Sequence, residues 1–123
     1  MPVGAIVYPA ALLEVVNPNL WPQFPYQSLA RSVDVWLPMT YWTYRTGFYR
    51  DAFTYTHDSV RRLRRDLHDG RARVAPVGGL ADGSTAADYE GFARAVRADR
   101  AIGRSVFDVT GTATSAWPYL RRS

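Results

Sequence analysis

The groups able to do chemistry in this chain are few. Of its 11 acids only Glu14 and Glu90 are glutamates, and its only imidazoles are His57 and His68. Cysteine is absent, which excludes disulfides, thiolate metal sites and cysteine nucleophiles. Two imidazoles are too few to expect a dedicated zinc site, so no metal and no cofactor are expected. Asp82 sits in "GGLADGS" and Asp108 precedes "VTGT", each just past an apolar run. Either could face a ligand or hold a turn, because both stretches are rich in turn-forming residues. Asp51 lies in the aromatic stretch Thr43–Thr56, with Tyr44, Phe48, Tyr49, Phe53 and Tyr55. That stretch would either close over a site or pack on its rim. The sequence has no phosphate-binding Gly-Lys-Ser/Thr loop and no G-x-G-x-x-G. It has no G-x-S-x-G elbow, and two histidines give no basis for a Ser-His-Asp set.

All 15 basic residues are arginine, and the formal charge is +4. Arginine forks suit phosphate, so nucleic-acid contact is one reading. The densest run argues for a solvated helix face instead. In Asp58–Asp69, Val60, Leu63 and Leu67 fall within about 60° on a helical wheel, and Arg61, Arg62 and Arg65 lie opposite. Asp58 precedes Arg62 by four, Arg62 precedes Asp66 by four, and Arg65 precedes Asp69 by four. Such neighbours pair on a helix surface for a few tenths of a kcal/mol each. No nucleic-acid partner is therefore expected. No membrane partner is expected either, since stretches such as Gly4–Val7 and Ala10–Leu13 fall far short of about 18 residues. Met1–Leu12 lacks a basic start and a long apolar core, so it does not read as a secretory leader.

The elements that must position these groups follow from patterning. With 123 residues, 47% of them hydrophobic, one globular domain over 1–123 is expected. Val3–Tyr8, Val33–Met39, Arg73–Val77 and Ser105–Val109 read as strands, being short and rich in β-branched or aromatic residues. A weak helix begins near Pro25, with Tyr26, Leu29 and Ala30 on one side. The arginine-rich helix follows. A third runs from about Ala86 to Asp99, capped by Thr85 with Asp88 three residues on. A short fourth lies around Ser115–Arg121. The strand starts stand 30, 40 and 32 residues apart, a spacing that suits four βα units with parallel strands. The fold class is α/β. A closed (β/α)₈ barrel has eight strands and usually about 200–250 residues or more. Four units make either a small open sheet or half of such a barrel, and exposed edges invite another chain.

"VDVWLPMTYW" at Val33–Trp42 resembles the sixth strand of sugar-hydrolase (β/α)₈ barrels, the chitinase-like family-18 and related glycoside-hydrolase-like families. These share an Asp, an apolar run, then Met-x-Tyr. "VGAIVYPA" (Val3–Ala10), "RVAPVGGLADG" (Arg73–Gly83) and "GRSVFDVTGTATSAWPYL" (Gly103–Leu120) then resemble strands five, seven and eight. The resemblance spans nearly the whole chain and is most specific at Asp34–Trp42. It implies a TIM-barrel half made of strands 5–8, with the site at the strand C-terminal ends. Tyr41 matches the tyrosine that lines the sugar pocket and supports the reaction centre. Tyr41, Asp82 and Asp108 become the catalytic candidates. Tyr8, Met39, Trp42, Tyr44 and Thr110 become the substrate-binding ones, with the aromatic rings of Trp42 and Tyr44 placed to stack on sugars. Asp34 begins its strand, which is the stabilising end of a barrel.

The chain departs from the family where the acid should be. No Asp-x-x-Asp-x-Asp-x-Glu occurs. Hydrolysis of glycosides generally needs two carboxyls about 5–10 Å apart. Chitinase-like enzymes replace one with the substrate's own amide, yet still need the acid. The expectation is a fragment of a larger catalytic domain that acts on or binds carbohydrate and is inactive alone. Its partners would be a carbohydrate, and through its sheet edges either an N-terminal half or a second copy. Complete relatives of this kind are often exported. The alternatives are a non-catalytic carbohydrate-binding module using Trp42, Tyr44, Phe48 and Tyr49, and arginine-mediated nucleic-acid binding.

Overall fold

The computed structural model describes residues 2–80 and 83–107. Four parallel strands lie side by side in chain order: β1 (Gly4–Val7), β2 (Val35–Thr40), β3 (Val77–Leu80) and β4 (Ser105–Phe107). Three α-helices connect them: α1 (Tyr26–Ala30), α2 (Ala52–Asp66) and α3 (Ala86–Ala98). The class is α/β with a parallel sheet, as read from the strand spacing. Asp34 fastens the start of the sheet, its carboxylate accepting from the Val3 N–H at 2.7 Å. The expected strand end at Val109 and the helix at Ser115–Arg121 lie outside the described residues.

Three boundaries differ from expectation. β3 begins at Val77, where the pattern placed its end. Val74 makes only an isolated bridge to Trp36. The chain after β1 turns at once into a wide π-helical turn, Leu12–Val16. The long loop expected over Thr43–Thr56 instead holds two 3₁₀ turns, and α2 starts at Ala52. Asp51 is its cap, with Oδ2 accepting from Thr54 N at 2.8 Å and Thr54 Oγ1 at 2.7 Å. An N-terminal carboxylate there satisfies a free N–H of the first turn. The early start lengthens the buried stripe to Ala52, Tyr55, Thr56, Ser59, Val60 and Leu63, the helical repeat of a one-sided surface. Thr85 caps α3 in the expected box with Asp88.

Side chains alternate across β2. Trp36, Pro38 and Thr40 are buried, while Val35, Leu37 and Met39 are only half-buried. The register puts Val7 beside Pro38 and Gly78 beside Thr40 on the buried face. All three helices pack on that face. Tyr26 of α1 and Val60 and Leu63 of α2 share a core with Val7 and Trp36. Thr56 of α2 donates to Thr40 Oγ1 at 3.3 Å. Phe92 of α3 lies over Gly78. The opposite face carries Ile6, Leu37, Met39 and Val77 by the same register. Ile6 is 67% exposed.

Two glycines set how closely α3 and the β2 exit approach the sheet. A Cβ at Gly78 would stand 2.8 Å from the Phe92 ring, and one at Gly79 would stand 2.5 Å from the Trp42 indole. Both aromatic side chains are fully buried, so neither can swing away into solvent. Gly79→Ala is expected to lower unfolding free energy by about 1–3 kcal/mol through overpacking. Gly70→Ala, with nothing within 4 Å of the new carbon, is expected to change it far less. Urea unfolding of the two variants checks the contrast.

Candidate functional site

The strand C-terminal ends gather the exit of β1, the segment Tyr41–Arg50 and the start of α3. Tyr8 follows β1 and is 40% exposed. Met39 points to the uncovered sheet face. Beyond Thr40 the chain makes its first 3₁₀ turn, Trp42–Tyr44. This leaves Tyr41 half-buried and Tyr44 65% exposed. Burial, then the neighbouring Tyr44 phenol, push the Tyr41 hydroxyl above its ordinary range. Tyr41 therefore keeps its proton at neutral pH.

Trp42 takes a different place from the one expected. It is fully buried, with Tyr89 edge-on at 6.1 Å and Phe92 tilted at 5.5 Å between ring centroids. With Gly79 against the indole as well, no ring face is left for a sugar. Tyr49 is likewise buried, and its hydroxyl donates to Asp58 at 2.5 Å. The exposed aromatic surface at this end belongs to Tyr44 and Phe48, the latter 74% exposed. Asp82, Asp108 and Thr110 lie outside the described residues. The structure thus brings Tyr41, Trp42 and Tyr44 together at the β2 exit, with Met39 on the open face below.

Polar donors missed in the sequence line the same exit. Among the described residues, Trp42 Nε1, Thr43 Oγ1 and Arg45 Nε are buried without a hydrogen-bond partner. Buried polar groups are normally paired, so three such atoms within four residues set this turn apart from the rest of the core. Nothing in "WTYR" singles them out, since their burial depends on α2 and α3.

The described carboxylates at this end are already engaged. Asp51 caps α2. Asp88 receives both Arg50 nitrogens, at 3.0 and 3.2 Å, and the Thr85 N–H at 2.9 Å. Arg50 also donates to the Gly83 carbonyl at 3.4 Å, tying the 3₁₀ turn Gly47–Arg50 to the β3–α3 loop. Burial works against the charged Asp88, but the hydrogen bonds from Arg50 and Thr85 outweigh it and hold the carboxyl below its ordinary range. A carboxylate held this way is a strut and a poor general acid at neutral pH. Glu90 lies on the exposed side of α3. Glu14 lies toward the other end of α2, bonded to Arg62 and Arg65. Among the described residues, no group of three His, Cys, Asp or Glu could hold a metal ion.

Arg61, Arg62 and Arg65 of α2 are matched by acids, though not by all the pairs expected, while Arg64 donates to the Ala72 and Asp99 carbonyls. Asp58 binds Arg62 at 2.7 Å and Arg61 at 2.6 Å. Arg62 turns to Glu14 at 3.1 Å and not to Asp66. Arg65 turns to Glu14 and Asp66 and not to Asp69. Asp69 instead caps the turn at Arg71, whose N–H it accepts at 3.0 Å.

No family model, no curated protein and no solved structure matches this chain.

The Arg50–Asp88 clamp gives a pH prediction. Asp88 has a lowered folded-state pKa, so its contribution is present above the ordinary carboxylate value and fades as pH falls through the folded one. Arg50→Met is expected to cost about 1 kcal/mol at neutral pH, solvent on Arg50 limiting the loss. The gap from the parent should narrow steadily below about pH 4. Unfolding curves of parent and variant from neutral to strongly acidic pH measure it.

Proposed function

We propose that this chain is one half of a glycoside-hydrolase-like (β/α)₈ barrel, supplying strands five to eight. The completed protein would act on or bind carbohydrate. One observation carries the reading: the parallel strands run in unbroken chain order while every described helix lies on one face. Connections of a single hand moving in one direction along a sheet leave all helices on one side. A doubly wound sheet reverses its strand order and so covers both faces. Unreversed order is the arrangement that closes into a ring, with the bare face as its lining. The apolar character of Ile6, Leu37, Met39 and Val77 suits such a lining, because barrel interiors are filled with branched apolar side chains.

Carbohydrate is supported by the β2 exit. The exposed rings of Tyr44 and Phe48 offer apolar faces beside the phenol hydroxyls of Tyr44 and the half-buried Tyr41. That combination matches a sugar's C–H faces and its oxygens. The strand-end carboxylates that are described serve as cap and clamp. The reading therefore leaves the acid to the other half and makes this chain inactive alone. Tyr44 and Phe48 also suit a binding role without chemistry. Nucleic-acid binding draws no support from α2, whose Arg61, Arg62 and Arg65 are paired with acids.

By itself the chain is expected to hydrolyse none of a panel of aryl glycosides, and turnover without a second half would contradict the reading. Sedimentation velocity should reveal concentration-dependent association through the bare face. Leu37→Glu should abolish that association while leaving the helical circular dichroism intact. A parent that stays monomeric at every concentration, or a variant that associates equally well, would count against the half-barrel.

A further inference from the structure

The outer helix layer holds a cleft far from the strand C-terminal ends. It opens between the loop before α1 and the last turn of α2, with a volume of about 390 Å³. One wall is aromatic. Trp21, 47% exposed, meets Phe24 edge-on at 4.7 Å, and Phe24 meets Tyr26 at 4.6 Å. Glu14 and Asp66 line the other side.

Among the described residues, two polar atoms at this cleft lack partners. Tyr26 is only 7% exposed, and its hydroxyl makes no hydrogen bond. Asp66 Oδ2 is also buried and unpartnered, while its Oδ1 faces Arg65 at 3.2 Å. Tyr26, Glu14 and Asp66 line the same cleft, and burial, then the Asp66 and Glu14 carboxylates, hold the Tyr26 proton in place. A tyrosine hydroxyl and a carboxylate oxygen left dry cost free energy unless something joins them. A ligand hydroxyl can do both jobs at once, donating to Asp66 Oδ2 and accepting from Tyr26.

Charge narrows the class. Glu14, Asp58 and Asp66 stand against Arg61, Arg62 and Arg65, all six tied in one ion-pair network. Of these only Glu14 and Asp66 line the cleft, and Arg62 and Arg65 are bonded to them from α2 and offset their charge, so the cleft has little pull on a free cation and none on an anion. The half-open indole of Trp21 supplies an apolar plane beside the two orphaned oxygens. We propose that this cleft binds a neutral polyhydroxylated ligand of monosaccharide size. The inference does not rest on the half-barrel reading, which concerns the opposite end of the strands.

The test is an amide NMR titration of the full chain with glucose and N-acetylglucosamine up to roughly 50 mM, in the weak range of affinity. Tetramethylammonium and inorganic phosphate serve as charged comparisons. A sugar is expected to shift residues 21–28 and 66 saturably, and the charged probes to leave them unmoved. Tyr26→Phe keeps the ring and should weaken the sugar about tenfold, the worth of one good hydrogen bond. The same variant should unfold at equal or higher urea, because it removes a hydroxyl that is unpaired in the free protein. Trp21→Ala should also weaken the sugar, and Tyr44→Ala should not. Absence of sugar-induced shifts at 21–28, equal affinity in Tyr26→Phe, or preference for tetramethylammonium or phosphate would overturn the proposal.

Discussion

A parallel sheet is stable when both its faces are covered, and here α1, α2 and α3 all pack on one. The buried side holds Trp36, Thr40 and Gly78 against helices, and the other side holds Ile6, Leu37, Met39 and Val77. Most of the fold answers to that asymmetry. β2 shows it most plainly, with every second side chain sealed and the rest half-open. Among the described residues nothing lies over the bare face, and the strands stand in unbroken chain order. The proposed half-barrel follows from this one imbalance more than from any single residue.

The covered face is held by close approach. Phe92 and Trp42 sit where side chains on Gly78 and Gly79 would be. Gly91 lets α3 come near α2, since a Cβ there would stand 3.1 Å from Phe53 N. Thr40 accepts from Thr56 and donates to the Val77 carbonyl at 3.2 Å, joining α2, β2 and β3 by one hydroxyl. These contacts fix the β2 exit, and so they fix where Tyr41 and Tyr44 stand. The Arg50–Asp88 clamp then ties the outer 3₁₀ turn to α3. The site end is thus rigid in its second layer, while Tyr44 and Phe48 stay free on its surface.

Local pattern was enough to find β1, β2, α3 with its capping box, and the lower part of α2. It failed where a distant partner decides. β3 was displaced because Gly78 and Gly79 count against a strand in isolation, yet they are the residues that admit Phe92 and Trp42. Ala52–Thr56 read as loop because aromatic and β-branched residues lower helix propensity, while the Asp51 cap and the buried stripe override it. Trp42 read as a surface plane because it follows a strand end, and only tertiary packing shows that its faces are taken. Glu14 pairs with Arg62 and Arg65 from 48 and 51 residues away, beyond any helical spacing rule. The cleft at Tyr26 was invisible for the same reason, since its walls come from the stretch after β1 and the far end of α2.

Whether the second face is truly bare can be measured directly. A soluble paramagnetic reagent broadens methyl signals in proportion to their access to solvent. In dilute protein, the methyls of Ile6, Leu37, Met39 and Val77 should broaden, most strongly at Ile6, while those of Val60 and Leu63 stay sharp. Protection of the first group equal to that of Val60 and Leu63, in protein shown to be monomeric, would mean the face is already sealed and would contradict the account.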